Sequence, residues 1–353
     1  MVCRWEYLQK NSDGARQNIS IRPEFNTVEA YGRILSNIML RCNTTDKDQI
    51  ITTLNTWLND RDTVRSDFAR NALHKIRKLD FTTYKARVWT ACREHYERMI
   101  METSLLYLCT QAACDPDQFS DRWMEFEEGC LQVMEFITDN GFDLYDFLSK
   151  LWDTLDRNCG KTNAFVLTGP SNCGKSTMFA RPIEGLMRSV GRIPQMNSTS
   201  VFIFEGCYNK RLISVEECNI TKANVEQCKL IFGGEPCQVN KKYVDSGIII
   251  PPTPVIATSN QQPWLYCITE EEPLRNRMHY WQIGHRREWP EGGCKPIAPV
   301  VYAALLFGVS RSSGDEFDPQ YCCDNVWGWL RELQTLQSSD LAATRDTFLL
   351  PCP

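Results

Sequence analysis

The stretch that decides the fold is Gly169-Pro170-Ser171-Asn172-Cys173-Gly174-Lys175-Ser176, which fits the template G-x-x-x-x-G-K-S/T at every fixed position. An apolar run from Ala164 to Thr168 leads into it and predicts a buried strand, and the residues after it suit a helix. Strand, loop and helix in this order are the setting in which the template binds phosphate. We therefore interpret these residues as a phosphate-binding loop, against the alternative of a glycine-rich turn that binds nothing.

The chemistry of the loop follows from its residue types. The two glycines let backbone N–H groups curve around phosphate oxygens, and the start of the following helix adds positive partial charge. Lys175 is expected to reach the β- and γ-phosphates of a nucleotide, and the Ser176 hydroxyl to ligate Mg²⁺. We thus expect ATP and Mg²⁺ as cofactors. The expected contacts come from Gly169, Pro170, Ser171, Asn172, Cys173, Gly174, Lys175, Ser176 and Thr177. Pro182 and Gly185 predict a kink or an early stop in the helix that follows.

Polar side chains follow two further apolar runs. The run Arg211 to Val215 predicts a strand that ends in Glu216-Glu217, and the run Thr253 to Thr258 predicts one that ends at Ser259-Asn260. Ligands of α/β sheets bind at the carboxyl ends of strands. One carboxylate there can orient the Mg²⁺ shell, the other can polarise an attacking water, and the amide can contact the γ-phosphate. Each feature alone is also typical of an ordinary strand end or turn.

The rest of the chain divides by the period of its apolar residues. Up to about residue 158 the spacing is helical and predicts helices over 28–39, 50–58, 68–79, 88–108, 123–137 and 144–155. Asn140-Gly141 predicts a helix end. After Gly160 short apolar runs indicate an α/β sheet, and Val201 to Phe204 is a further candidate strand. Beyond about residue 290 there are turns and one apolar stretch, Val300 to Val309.

Composition excludes several classes of protein. The 353 residues carry 39 basic and 44 acidic side chains, a net charge of −5, which excludes a globally basic nucleic-acid coat. No apolar run approaches the roughly 20 residues that span a bilayer, so we expect no membrane-embedded function. The 17 cysteines include no C-x-x-C pair and no secretory signal precedes them, which predicts reduced thiols in a cytosolic or nuclear protein. A zinc site could be built from Cys294, Cys322, Cys323, Cys352 and His285. Their spacing matches no common ligand pattern, so we favour thiols without a metal.

Taken in order, these segments resemble the superfamily 3 helicases of small DNA viruses, and most closely the large non-structural replication proteins of parvoviruses, called Rep or NS. The resemblance covers about residues 136–285. Besides the loop, the matching pieces are Asn140-Gly141-Phe142-Asp143, Val215-Glu216-Glu217, Ile231-Phe232-Gly233-Gly234, Pro252 to Asn260 and Pro273-Leu274-Arg275-Asn276-Arg277-Met278.

The resemblance implies an α/β, AAA+-like P-loop ATPase with a parallel-sheet core, preceded by an all-helical N-terminal region. Such proteins form rings, here expected to be hexamers, that unwind DNA in the 3′ to 5′ direction during viral replication in the host nucleus. By resemblance, Lys175 and Ser176 bind MgATP, and Glu216 supports the metal. Glu217 then activates water and Asn260 is the sensor. Arg277 matches the arginine finger that a neighbouring subunit inserts; Arg275 is the alternative, and a surface salt bridge is the ordinary role for either.

The resemblance also places a DNA-binding β-hairpin between Gly234 and Pro251. Lys241-Lys242-Tyr243 occupies the position of its basic tip, with cations for phosphate and one aromatic ring for stacking. Val244 stands where a second basic residue of the family is expected.

We divide the chain into a helical N-terminal region (1–115), a helical collar that could serve oligomerisation (116–158), the ATPase domain (159–290) and a C-terminal extension (291–353). The endonuclease of full-length relatives needs two histidines two residues apart, and His74, His95, His279 and His285 include no such pair. We therefore expect a chain that does not nick DNA. Two functions remain as alternatives to the helicase: a DNA-packaging motor and a nucleotide-binding scaffold without motor action. We expect a protein that is not secreted, in the nucleus or cytoplasm of the host.

Overall fold

The structure is a computed structural model that describes residues 38–39, 42, 47–58, 69–70, 72–73, 97–98, 100–196, 202–241, 244–284, 294–314 and 317–347. The chain divides into two compact units, residues 1–99 with 340–353 and residues 100–339. In the first unit, helix α1 (Lys47–Trp57) buries Ile50 and Leu54, so the helix predicted over 50–58 is confirmed. Most of the predicted helices over 28–39 and 68–79 lie outside the described residues. The division into four regions drawn from the sequence stays a prediction.

The second unit begins with helices. These are α2 (Leu105–Ala113), α3 (Phe126–Thr138) and α4 (Leu144–Leu155). The prediction of a single helix over 88–108 is wrong. The helical conformation is interrupted at Thr103, and Ser104 caps a new helix by accepting a hydrogen bond from the Tyr107 N–H at 3.2 Å. The helix end predicted at Asn140-Gly141 is confirmed, with Gly141 at φ 74°.

A five-stranded parallel sheet forms the centre of this unit, as the fold class predicted. Its strands are β1 (Ala164–Thr168), β2 (Val190–Ile193), β3 (Leu212–Val215), β6 (Val255–Ser259) and β7 (Met278–Gln282), in the spatial order β2-β3-β6-β1-β7. The central strands β1, β3 and β6 are buried on both faces, which explains their continuous apolar runs.

One predicted strand, Val201 to Phe204, is wrong. Residues 202–204 form a turn that leads into a 3₁₀ turn at Glu205–Cys207. The Phe204 ring is buried in the core, which explains why this segment is apolar without being a strand. The strand at this edge of the sheet is β2. Its residues alternate between buried and more exposed positions, so the sequence shows no continuous apolar run there.

Helices cover the sheet. Helix α5 (Arg181–Met187) follows β1, and α6 (Val225–Phe232) and α7 (Glu271–Arg275) pack on the opposite side. The apolar stretch Val300 to Val309 belongs to α8 (Pro299–Arg311), which is buried around almost its whole circumference between α2, α4 and α5. The last helix, α9, is Pro319–Thr347. Contact between α5 and α8 is so close that a Cβ at Gly185 would lie 2.6 Å from Pro299 Cγ.

An antiparallel hairpin of β4 (Cys237–Lys241) and β5 (Val244–Ile250) stands apart from the sheet, between α6 and β6. The hairpin expected from the resemblance between Gly234 and Pro251 is thus present. Within the part of the chain that the structure describes, none of the helices combines the length and the apolar character needed to cross a membrane.

A candidate nucleotide site at the carboxyl ends of three strands

The order of the sheet brings the predicted site residues to one edge. Strand β6 lies between β3 and β1, and the pairs Val215 with Ala257 and Thr168 with Ser259 are in register. All three strands run parallel, so the segments that follow them emerge side by side. The loop after β1, the Glu216-Glu217 pair after β3 and Asn260 after β6 are therefore neighbours, as the sequence predicted.

The loop has the conformation that its glycines permit. Asn172 has φ 61° and Gly174 has φ 96°, both in the left-handed region. Gly169 donates its N–H to the Ser259 carbonyl at 3.1 Å, and a Cβ at Gly169 would lie 2.5 Å from the Ile283 carbonyl oxygen. Only glycine fits at this position. Sequence reasoning missed Ile283, since an ordinary apolar residue carries no motif.

After the loop the chain winds as a π-helix over Lys175–Ala180 and changes to the α-helix α5 at Arg181. Pro182 lies near the start of α5 and has no N–H to donate, and the Met178 carbonyl, four residues earlier, accepts a hydrogen bond from the Tyr302 hydroxyl at 2.9 Å instead. The kink or early stop predicted from Pro182 and Gly185 corresponds to this change of winding and to the end of α5 at Met187.

Lys175 lies on the floor of the loop with 7% of its surface exposed. Its Nζ donates hydrogen bonds to the carbonyl oxygens of Gly169 at 2.8 Å and Pro170 at 2.7 Å. It also donates to Oδ1 of Asn260 at 3.2 Å and lies 3.3 Å from Sγ of Cys173. These acceptors are neutral, so the ammonium keeps its charge available for phosphate oxygens.

Asn260 links the loop to the acidic pair. While Oδ1 accepts from Lys175, Nδ2 donates to Oε1 of Glu217 at 2.6 Å. Glu217 has φ 46°, a strained conformation for a residue with a side chain. Its carbonyl accepts from the N–H of Asn219 at 2.8 Å, which helps to hold this turn. In this conformation the Glu217 carboxylate lies within hydrogen-bond distance of Asn260, which in turn contacts Lys175 of the loop.

Glu216 and Ser176 are placed differently from Glu217. Glu216 is exposed, and its backbone N–H donates to the Ile193 carbonyl at 2.8 Å, which extends the β2–β3 pairing. Ser176 is half-buried directly after Lys175, and the exposed Thr177 directs its hydroxyl to the Gly174 carbonyl at 3.5 Å. A hydroxyl and a carboxylate are the hard oxygen ligands that Mg²⁺ takes beside nucleotide phosphates and water. The donor set at this edge therefore fits MgATP.

Among the residues that the structure describes, no three His, Cys, Asp or Glu side chains gather closely enough to hold a metal ion on their own. Three of the five candidate zinc ligands are described: Cys294 is exposed, Cys322 is buried and Cys323 is half-buried. His285 and Cys352 lie outside the described residues.

The two arginines after β6 have different surroundings. Arg277 directly precedes β7, and Met278 pairs with Ala164, the first residue of β1, so Arg277 lies at the amino end of the sheet. Its guanidinium donates to the Pro273 carbonyl at 2.6 Å. Arg275 forms an ion pair with Glu271 at 2.8 Å and stacks over the rings of Trp264 and Tyr280 at 4.4 and 4.7 Å. Arg277 thus lies level with the amino end of β1, whereas the phosphate loop of the same chain follows its carboxyl end. At about 3.3 Å per residue, the length of β1 separates the two by roughly 15 Å.

The residues expected to bind DNA are only partly described. Lys241 ends β4, and its backbone pairs with Val244 across the turn of the hairpin. Lys242 and Tyr243 lie outside the described residues.

Known proteins are similar to parts of this chain. The family model for parvovirus non-structural protein NS1 matches residues 40–272. The initiator protein NS1 of Junonia coenia densovirus is 33% identical over 138 residues, which cover 38% of this chain and 25% of the relative. That of human bocavirus 2 is 31% identical over 160 residues, 43% of this chain and 20% of the relative. That of murine minute virus (strain MVM prototype) is 33% identical over 153 residues, which cover 38% of this chain and 22% of the relative. Each match thus covers a quarter or less of the relative's length.

Solved structures share the fold. A crystal structure of JCV helicase with a bound acetamide compound superposes with a TM-score of 0.52 at 11% identity, covering 86% of this chain and 93% of that one. A JCV helicase structure with a bound inhibitor gives a TM-score of 0.51 at 12% identity, covering 86% and 92%. Identities this low show the fold alone. The family match extends over more than half of the chain and includes the phosphate loop and both acidic residues. The chain therefore belongs to the parvovirus non-structural protein NS1 family.

Proposed function

We propose that this chain is the ATP-driven motor of a viral DNA helicase. The observation that carries the proposal is the continuous chain of hydrogen bonds from Lys175 through Asn260 to Glu217. It joins a cation suited to phosphate, an amide and a carboxylate suited to water at one strand edge. A protein that only bound nucleotide would need the cation for the phosphates but would not need the carboxylate for water.

The roles within the site follow from position. The loop N–H groups and Lys175 bind the β- and γ-phosphates and offset the charge that develops on the transferred phosphoryl group. Ser176 and Glu216 would hold Mg²⁺, which would neutralise further phosphate charge. Glu217 orients the attacking water and accepts its proton. Asn260, between Lys175 and Glu217, registers whether the γ-phosphate is present.

The site is completed by a second copy of the chain. Arg277 lies at the amino end of β7, remote from the phosphate loop of its own chain, which supports its insertion into a neighbour's site. Arg275 is already engaged with Glu271 and two aromatic rings, so we assign the finger to Arg277. A ring, which we take to be a hexamer, provides each site with one such neighbour.

The ring acts on DNA. By resemblance, Lys241, Lys242 and Tyr243 hold the phosphate backbone of a single strand or fork, and the ring advances along that strand in the 3′ to 5′ direction. The relatives are named initiator proteins of viruses, which supports a role in viral DNA replication in the host nucleus.

ATP hydrolysis by the purified chain tests this proposal. We expect magnesium-dependent hydrolysis that single-stranded DNA stimulates. Lys175→Ala should abolish it, because the cation on the floor of the loop is lost. Lys161→Ala, which removes an exposed lysine just before β1, is the matched control and should hydrolyse ATP like the wild type. Nucleotide binding without turnover would indicate a scaffold, and undiminished hydrolysis in Lys175→Ala would contradict the assignment.

A further inference from the structure

Asn140 connects two segments that are far apart in sequence. It follows the end of α3, where its Nδ2 donates to the Phe136 carbonyl at 2.8 Å. Its Oδ1 accepts a hydrogen bond from the N–H of Gly284, just after β7, at 3.1 Å. One amide therefore joins the end of a helix to the chain that leaves the sheet.

These two segments are the walls of the phosphate loop. The Phe136 ring lies 3.4 Å from the position of a Cβ at Gly174, so it closes the end of the loop next to Lys175. Ile283, directly before Gly284, presents its carbonyl 2.5 Å from the position of a Cβ at Gly169 and closes the other end. The segments that Asn140 joins thus contact the first and last glycines of the loop.

The end of α3 does not need Asn140 to bond Gly284. Gly141, in the left-handed region, donates its N–H to the Thr138 carbonyl at 2.8 Å, and the Phe142 N–H donates to the Ile137 carbonyl at 3.3 Å. These bonds terminate the helix by themselves. The Phe142 ring then packs edge-on against Trp281 of β7, with ring centroids 4.9 Å apart. Asn140 and Phe142 together fasten α3 to the end of β7.

We propose that Asn140 is a positioning residue for the nucleotide phosphates, an inference that rests on the proposed ATPase function. By fixing the distance between the Phe136 wall and the Ile283 wall, it keeps the N–H groups of Gly169 and of Ser171 to Gly174 in their cradle before nucleotide binds. A cradle formed in advance spares the ordering cost that binding would otherwise bear. The effect should fall on affinity for the phosphates and not on the chemical step, since Asn140 has no place among the reacting groups.

Hydrogen exchange in the nucleotide-free protein tests the brace without relying on hydrolysis. In Asn140→Ala we expect the amides of residue 169 and residues 171–177 to exchange several-fold faster than in the wild type, because both hydrogen bonds are lost. Asn140→Asp keeps an oxygen for the Gly284 N–H and should lie between the two. Thr138→Ala is the matched control, since it removes a hydrogen bond to the Met134 carbonyl at the same helix end. It should leave the loop amides unchanged.

Steady-state kinetics provide the second readout. Asn140→Ala should raise the KM for ATP about ten-fold, the effect expected from losing one or two partly exposed hydrogen bonds, while kcat stays within about two-fold. Asn140→Asp should recover part of the KM. Loop amides that exchange at the wild-type rate in both folded Asn140 variants would overturn the inference, as would a fall in kcat at constant KM. If the wild type hydrolyses no ATP, the proposed function fails, whereas the exchange experiment still decides whether Asn140 braces the loop.

Discussion

The side-chain amide of Asn260 donates a hydrogen bond to Oε1 of Glu217 over 2.6 Å. The two residues are 43 positions apart in sequence and meet because β6 lies beside β3 in the sheet. On the proposed function, this bond occupies a carboxylate oxygen with which Glu217 would orient the attacking water. We expect the γ-phosphate to draw Asn260 away, so that Glu217 is released for water only when ATP is present.

The first prediction concerns Glu217. Glu217→Gln keeps the size of the side chain and a carbonyl oxygen near Asn260, but it cannot accept a proton. It should bind ATP with nearly wild-type affinity and lower kcat by roughly 10² to 10⁴, the usual contribution of a general base. ATP binding by fluorescent analogue and turnover by phosphate release separate the two effects. Glu235→Gln, at an exposed glutamate after α6, is the control and should be unaffected. A kcat close to the wild type in Glu217→Gln would move the general base elsewhere.

The second prediction is that the active site is shared between subunits. Arg277→Ala should bind ATP yet hydrolyse it poorly, with a loss on the order of 10³ or more in turnover, as for arginine fingers generally. Mixed with Lys175→Ala, it can place an intact loop beside an intact finger at some interfaces. Partial recovery of ATPase activity on mixing, increasing with protein concentration, is expected.

Two controls accompany the mixing experiment. Arg275→Ala should keep most activity by itself, because its guanidinium is engaged with Glu271 and the rings of Trp264 and Tyr280. Mass measurement must show that mixed oligomers form. No recovery in such mixed oligomers would mean that Arg277 does not act across the interface.

The third prediction concerns the hairpin tip. Replacing Lys241 and Lys242 together by Ala should weaken binding to all DNA sequences alike, and it should lower the dependence of log K on log salt by about one unit for each phosphate that the tip no longer neutralises. Basal ATP hydrolysis should persist. Lys161→Ala combined with Lys295→Ala, two exposed lysines outside the hairpin, is the charge-matched control. An unchanged salt slope together with altered sequence preference would speak against phosphate binding at the tip.

The fourth prediction concerns Arg211, which is 1% exposed at the start of β3. Its Nε donates to the Thr103 carbonyl at 3.2 Å, and burial, followed by the nearby charge of Arg157, lowers the pKa of the guanidinium from its ordinary value, while Asp156 opposes this shift. Arg211→Ala would remove the hydrogen bond to Thr103 and leave a cavity in place of a buried side chain, while it would also remove a cation whose charged form burial disfavours. The lost packing and hydrogen bond should lower the free energy of unfolding by about 2 kcal/mol.

Urea denaturation checks this value through a shift of the midpoint at constant slope. The control is Arg122→Ala, which breaks an exposed ion pair with Asp117 and should cost less than about 1 kcal/mol. Equal losses for the two variants would mean that the buried position of Arg211 contributes nothing special.

The central part of the sheet could be predicted because its strands are buried on both faces. β1, β3 and β6 appear in the sequence as apolar runs, and each ends in polar residues with recognisable chemistry. The edge strands β2 and β7 escaped prediction, since an edge strand has exposed positions and polar residues such as Arg192 and His279. The apolar segment before Glu205 was mistaken for a strand because an apolar run reports burial and not conformation.

The candidate site shows a similar division. Lys175, Glu217 and Asn260 were found because each stands in a local motif, but their hydrogen bonds depend on the order of strands, which local pattern does not encode. Asn140 was recognised as a helix end and as part of a segment that resembles related helicases, but not as a link to another segment. Its bond to Gly284 joins residues 144 positions apart, and only the folded chain reveals it.

Strand displacement tests the central claim most directly. The substrates are duplexes with a single-stranded tail at either the 3′ or the 5′ end, incubated with the wild type or with Glu217→Gln, with and without ATP and Mg²⁺. The account predicts that the wild type separates the strands only with ATP and Mg²⁺ and only from the 3′ tail, and that Glu217→Gln binds these substrates without separating them. Vigorous ATP hydrolysis without strand separation on either substrate, or separation that Glu217→Gln performs as well as the wild type, would contradict an ATP-driven helicase.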